Sequence, residues 1–232
     1  PNEFCRDPQL PWDSSDDPQA RFRKLVYGIE ATRGSQKKNP SIYDHLDYYL
    51  RMLWVLGLSA PLDYVNEHPF DITPDDHLRV YSLSNDSGQA QELSLTRYET
   101  PRTAMGLVAP ERGAATEFKV IVDGVQLMRP IRFHNLPITL GSCPYTLLFV
   151  GKDSPDLSAI PEEVRGGELS FEGYFLWNHT IVPKEQAGIL IRIHDSNGVL
   201  FDNTFMDYPP AETRRKSQIT AEIFVTHGLD AA

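Results

Sequence analysis

Gly188-Ile189-Leu190-Ile191-Arg192-Ile193-His194-Asp195-Ser196-Asn197-Gly198 is the stretch on which the fold class turns. Ile189, Ile191 and Ile193 alternate with Leu190, Arg192 and His194, which is the period of a β-strand. The alternation predicts one apolar face and an opposite face that exposes Arg192. Asn197-Gly198 then supplies turn chemistry. His194-Asp195 at the strand end is an acid–base pair only if a nucleophile or a pocket stands beside it. The plainer reading is a strand running into its turn.

Strand patterns continue outward in both directions. Upstream, Leu169–Trp177 and Tyr145–Val150 are apolar runs of strand length. Phe118–Val122, the Asp123-Gly124 pair and Val125–Met128 form the sharpest hairpin pattern in the chain. Leu78–Leu83 alternates as a strand, and Asn85-Asp86-Ser87-Gly88 reads as its turn. Arg102–Ala115 is rich in glycine and alanine without a period and reads as a loop. Downstream, strands are expected over Val199–Phe205 and Gln218–Val225.

Before residue 76 the period changes from two to 3.6. Asp16 or Asp17 before Pro18 starts a helix to about Arg33, with Phe22, Leu25, Val26 and Ile29 on one stripe. Ser41 caps a second helix, with Asp44 in capping-box position and Ile42, Leu46, Leu50 and Leu53 at helical spacing. Gly57 is its expected end. Pro61, Pro69 and Pro74 make a turning linker. The expected fold is therefore α+β: a helical pair and connector over 1–75, then a mixed β-sheet region over 76–232.

Composition limits the function classes. The 232 residues carry a net charge of −10, so a phosphate-binding surface is disfavoured. Arg214-Arg215-Lys216 is a basic triplet, read as a solvated loop rather than a nucleic-acid site. No apolar run approaches the roughly 18 residues that span a bilayer. The start, PNEFCRDPQL, shows neither a basic nor an apolar leader segment. Cys5 and Cys143 match no disulfide or zinc spacing, and a reducing cytoplasm is the expected compartment.

Most catalytic patterns fail. No phosphate-cradling P-loop, dinucleotide glycine pattern, nucleophile elbow or paired-histidine zinc helix is present. His45, His68, His77, His134, His179, His194 and His227 are scattered. Cys143 before Pro144 reads as a structural thiol rather than a nucleophile. Asn178-His179-Thr180 matches a glycosylation sequon, taken as accidental without a leader.

Several of these strands, taken in order, resemble a known family. Tyr145-Thr146-Leu147-Leu148-Phe149-Val150 with the loop through Pro155 and Leu157 is similar to an "I-L-F-V-P" strand and loop. Leu169–Trp177 with Thr180-Ile181-Val182 is similar to an "L-Y-V-R-R-V-F-I" strand. Ile219–Val225 followed by Gly228-Leu229-Asp230 is similar to a strand and an "S-E-D-L-P" turn. Together, from about Phe118 to Ala232, they resemble the middle segment of the ninety-kilodalton heat-shock chaperones. More broadly, they resemble the transducer domain of the gyrase, chaperone, histidine-kinase and mismatch-repair ATPases. Gly188–His194 also resembles a G-[IV]-x-[IV]-R-[IV]-x pattern of bacterial members.

The resemblance implies a transducer-like αβ layer at the end of the sheet and a parent protein that binds ATP and magnesium. The nucleotide motifs N-x-x-D-A and D-x-G-x-G are absent from this chain. The basic residue that reaches the γ-phosphate in the family lies after the point where the sequence ends. No catalytic, cofactor or metal residue is therefore assigned. Lys184 and Arg192 are basic candidates, read as solvated. The expected role is a non-catalytic segment that couples the nucleotide state of a separate ATP-binding domain to conformational change. Its expected partners are that domain and, as an option, a second copy, with no nucleic acid and no membrane. The alternative is a free-standing acidic protein-interaction domain without a nucleotide role. A third reading is an enzyme built on a spatially assembled His/Asp pair.

Overall fold

The computed structural model describes residues 10–32, 40–84, 89–109, 118–134, 136, 143–165, 167–193, 195–197, 200–201, 215 and 217–228. Helix α1 (Pro18–Ala31) starts as its sequence requires. The Asp17 carboxylate accepts from Gln19 N and Ala20 N, and Phe22, Leu25, Val26 and Ile29 are its buried stripe. The expected second helix is instead two. A short α2 (Ile42–His45) and a longer α3 (Tyr48–Ser59) are separated by Leu46 in an extended conformation. Asp47 is the cause: its side chain accepts from Leu50 N and begins a new helix. Glu185 rather than Asp44 completes the cap at Ser41, bonding both the Ser41 hydroxyl and Ile42 N.

Gly57 does not end the helix. It lies inside α3, where a Cβ would meet Met128 O at 2.4 Å and Phe22 Cζ at 3.0 Å. Glycine is required there for close backbone approach. Residues 102–105, expected to be loop, belong to helix α4 (Pro101–Met105). It has a Thr100/Thr103 capping box, proline in its first turn and Gly106 in the left-handed region at φ 60°. Residues 110–115 of that expected loop lie outside the described residues.

The strands are β1 (Leu78–Leu83), β2 (Ala90–Glu92), β3 (Ile121–Val122), β4 (Val125–Gln126), β5 (Thr146–Asp153), β6 (Ser170–Trp177), β7 (Gly188–Ile193), β8 (Ser196–Asn197) and β9 (Ile219–His227). Helix α5 (Glu162–Arg165) lies between β5 and β6 and buries no residue. Seven of the strands form one mixed sheet in the order β2-β1-β5-β6-β9-β7-β8. The pairs β1/β5 and β7/β9 are parallel, and the other neighbours are antiparallel. The hairpin at Asp123-Gly124 is present but short, with both residues at positive φ.

Asn197, expected in a turn, is in β8, and the chain reverses at Asp195, φ 61°. Leu200 and Phe201, expected in a strand, are not in one. Val199 and residues 202–205 of that stretch are outside the described set.

The register places alternate residues of each strand on one inner face. Leu78, Val80, Leu148, Val150, Tyr174, Leu176, Leu190 and Phe224 point there. Phe22, Leu53, Trp54, Leu58 and Tyr64 belong to the same core, so the helices before residue 76 and the sheet after it share one interior. The fold is α+β with a mixed sheet. Among the described residues, no helix is long and apolar enough to cross a membrane.

Two glycines separate packing from helix propensity. Gly57→Ala is expected to cost roughly 1–3 kcal/mol by overpacking against Met128 O. Gly28→Ala, in α1 with nothing within 4 Å, is expected to stabilise by up to about 1 kcal/mol. Urea denaturation of the two variants checks the opposite signs.

Candidate functional site

Glu222 stands at the centre of β9, directly between Tyr174 on β6 and Leu190 on β7. Its side chain is on the inner face, with no exposed surface. A bare carboxylate there would be prohibitively costly, so it is surrounded by donors. Arg192 Nε donates to Oε1, and Arg192 Nη2 makes an ion pair with the same oxygen. The hydroxyls of Tyr64 and Tyr174 both donate to Oε2, Tyr174 at 2.7 Å. Arg192 Nη1 donates to Leu58 O, in the last turn of α3, at 2.9 Å.

Arg129 is the second buried cation. Its Nη2 donates to Asp195 O at 2.8 Å and lies 2.6 Å from Asp195 Oδ1. Its guanidinium lies 5.1 Å from the centre of the Tyr64 ring. The segment around Tyr64 is joined to Arg129 by backbone: Arg129 N donates to Asp63 O and Val65 N to Arg129 O. Arg129 Nε and Nη1 have no hydrogen-bond partner among the described residues. Formal charge within the cluster cancels, with two arginines against Glu222 and Asp195.

The electrostatics follow from burial and neighbours. Burial alone pushes Glu222 up, but Arg192, Arg129 and the two tyrosine hydroxyls outweigh it and hold the carboxyl below its ordinary range. Burial first, then the Glu222 charge, pushes Tyr64 and Tyr174 well above the usual phenol value. Burial opposes the charge of Arg129, but Tyr64, Glu222 and Asp195 outweigh it and raise its pKa.

A second inward carboxylate, Glu172 on β6, accepts from Val108 N and Ala109 N at 2.8–2.9 Å. It anchors the chain leaving α4. Beside the cluster lies an open cleft of about 900 Å³, and Tyr64 forms part of the wall between them. Arg23, His68, Asp71, Arg102 and Lys119 line it. Arg102 is held by Asp71 through two bonds of 2.7 and 2.9 Å and by Ala109 O at 2.8 Å. His68 Nδ1 accepts from Phe70 N. Arg102, Asp71 and His68 of this wall therefore hold loops together. Among the described residues, no group of three His, Cys, Asp or Glu side chains is arranged for a metal ion.

Arg192 is not on a solvated face. The alternation of β7 holds, but its phase is opposite to the expected one: Leu190 and Arg192 are buried and Ile191 is 37% exposed. Asp195 pairs with Arg129, and His194 lies outside the described residues. Lys184 is exposed in a 3-10 turn. Cys143 is a half-buried free thiol 3.7 Å from Tyr145 O. Arg215 is exposed, and Arg214 and Lys216 lie outside the described set, as does Cys5. Asn178 is buried and donates to Thr146 Oγ1 at 2.7 Å, which leaves no room for a glycan.

Sequence reasoning missed Tyr64, Arg129, Glu172, Tyr174 and Glu222. The available signal was a carboxylate in phase with Tyr174 and Leu176 on one strand and with Thr220 and Phe224 on another. No family profile, no curated protein and no solved structure matches this chain.

Glu222→Gln leaves Arg192 buried against a neutral partner and is expected to cost about 3–5 kcal/mol. Replacing both Arg192 and Glu222 with leucine is expected to cost less than either single change, and a double-mutant cycle in urea checks this. The pH dependence has two arms. Glu222, depressed in the fold, contributes fully above about 4.3, and that contribution is lost as pH falls through its lower folded value. Tyr64 and Tyr174, raised in the fold, contribute fully below about 10, and that is lost as pH rises beyond it. Urea midpoints against pH are expected to lose part of the acid arm in Glu222→Gln and part of the alkaline arm in Tyr174→Phe.

Proposed function

We propose that this chain is a non-catalytic coupling segment of a chaperone-like ATPase, transmitting the nucleotide state of a separate ATP-binding domain. The observation that carries the reading is the Glu222 cluster. Arg192 joins the parallel pair β7/β9 to Leu58 O at the end of α3, and Tyr64 joins the same carboxylate to the following connector. A displacement of residues 58–64 is therefore felt at the centre of the sheet rather than absorbed by a loop. Stiff linkage between a moving element and a sheet is what a transducer needs.

Two further features support the reading. Residues 170–227 supply the four neighbouring strands, β6-β9-β7-β8, of the expected αβ layer, while its helical part is described only at Arg215. Among the described residues, the buried cations Arg129 and Arg192 face Asp195 and Glu222 and are enclosed, so neither is open to a phosphate. ATP and magnesium belong to the partner domain, and the cytoplasm is the fitting compartment.

A second reading, an acidic protein-interaction domain without a nucleotide role, is favoured by one surface. Arg51 lies between the exposed Tyr43 and Tyr48, 5.6 and 4.2 Å from their ring centres. Tyrosine and arginine are among the residues most enriched in interface hot spots.

Calorimetric titration with magnesium-ATP and a hydrolysis assay separate the two, applied to this chain and to the full product of its reading frame. Coupling predicts no binding by the chain alone, and binding with hydrolysis by the full product. It also predicts that Arg192→Lys in the full product slows turnover with little change in ATP affinity. No nucleotide interaction by either protein overturns the coupling reading and leaves the interaction domain.

A further inference from the structure

The sheet has a second face. Opposite the core, the register puts Tyr81 and Leu83 of β1 and Leu147 and Phe149 of β5 on one face. These are followed by Phe171, Phe175 and Trp177 of β6, Ile219, Ile223 and Val225 of β9, and Ile189, Ile191 and Ile193 of β7. These side chains are half-buried or exposed, and none belongs to the hydrophobic core. An open sheet face in contact with water is ordinarily polar in alternation with its buried face. Here both faces are apolar, the pattern of a sheet covered on both sides.

The helices α1 and α3 are spent on the inner face. Leu200 and Phe201, after β8, also pack with that core. The only charged residues at outward positions in these five strands are Arg79 and Asp153, of opposite sign and at the margins. The net charge of −10 is thus carried elsewhere.

We propose that this outer sheet face is a homodimer interface, two copies packing face to face about a two-fold axis. Area argues for the second copy. Five strands about 4.8 Å apart and some 20 Å long give a flat footprint of about 500 Å². Side-chain relief raises this toward the roughly 800 Å² that each partner buries in a standard stable interface. Shape argues for it too. Gly151 and Gly173 are cross-strand partners and leave a hollow of about 200 Å³ walled by Leu83, Phe171, Phe175 and Ile223, with Ser84, Lys152 and Asp153 also lining it. That volume takes one large apolar side chain, so aromatic knobs and a hollow occur on the same surface. Two-fold symmetry would let a knob of each copy enter the hollow of the other, and two twisted sheets stack about 10 Å apart.

Sedimentation equilibrium tests the assignment directly. The chain is expected to sediment as a dimer of 26.3 kDa subunits across the micromolar range. Ile191→Lys alters an already exposed side chain and is expected to weaken dimerisation by at least about a hundredfold with an unchanged circular dichroism spectrum. Tyr48→Lys, on the helical side, is expected to leave the dimer intact. A monomeric wild-type chain overturns the proposal and assigns the face to another segment or partner. So does a dimer that survives Ile191→Lys with its fold intact, or one that Tyr48→Lys dissolves. None of these outcomes depends on nucleotide, so the coupling reading stands or falls separately.

Discussion

One carboxylate, Glu222, organises the interior. Moving a carboxylate out of water costs several kcal/mol even after relaxation, and each arginine near it carries a similar cost. The cost is offset only if the carboxylate oxygens find donors and each guanidinium faces a counter-charge at good geometry. Glu222 therefore requires β6, β7, β9, the end of α3 and the connector at Tyr64 to arrive together. A hydrophobic core tolerates shifts of register if volume is kept, whereas this cluster does not. A one-residue slip of β9 would put Glu222 on the outer face and leave Arg192 alone in the core.

The same constraint explains why two chain segments of different character share one core. The helices before residue 76 have enough apolar surface to pack anywhere. Arg192 donating to Leu58 O, and Tyr64 donating to Glu222, single out one docking geometry. Gly57 allows it sterically, because only a residue without a side chain lets α3 approach Met128 O. The Glu172 contact with the chain after α4 repeats the device on the other side of β6. Polar groups, each on a named partner, thus orient the packing that apolar groups drive.

The arrangement also bears on function. The Glu222 carboxylate is a poor reaction centre, because it is ionised, enclosed and fully partnered. Removing either Glu222 or Arg192 leaves the other a buried charge in an apolar surround. The outer face of the sheet is the complementary case. It has apolar surface without a polar cluster to orient it, and association is a natural use for such a surface.

The α+β class, most strand positions and the first helix were legible in the order of residues alone. These depend on local rules: alternation, caps, turn pairs and proline placement. Leu78–Leu83 and Gly188–Ile193 were legible to the residue for that reason. Which side of a strand faces inward was settled only by assembly of the whole chain. In Gly188–Ile193, isoleucines occupy one phase and Leu190 with Arg192 the other, so hydrophobicity favours burying the isoleucines. The opposite phase wins because Glu222, thirty residues away in sequence, supplies the counter-charge that makes Arg192 a core residue. The break at Asp47 and the interior role of Gly57 were hidden for related reasons: a cap competes with a continuing helix, and close approach depends on what lies opposite. Local pattern carries the elements, and long-range electrostatics and packing choose among the ways of assembling them.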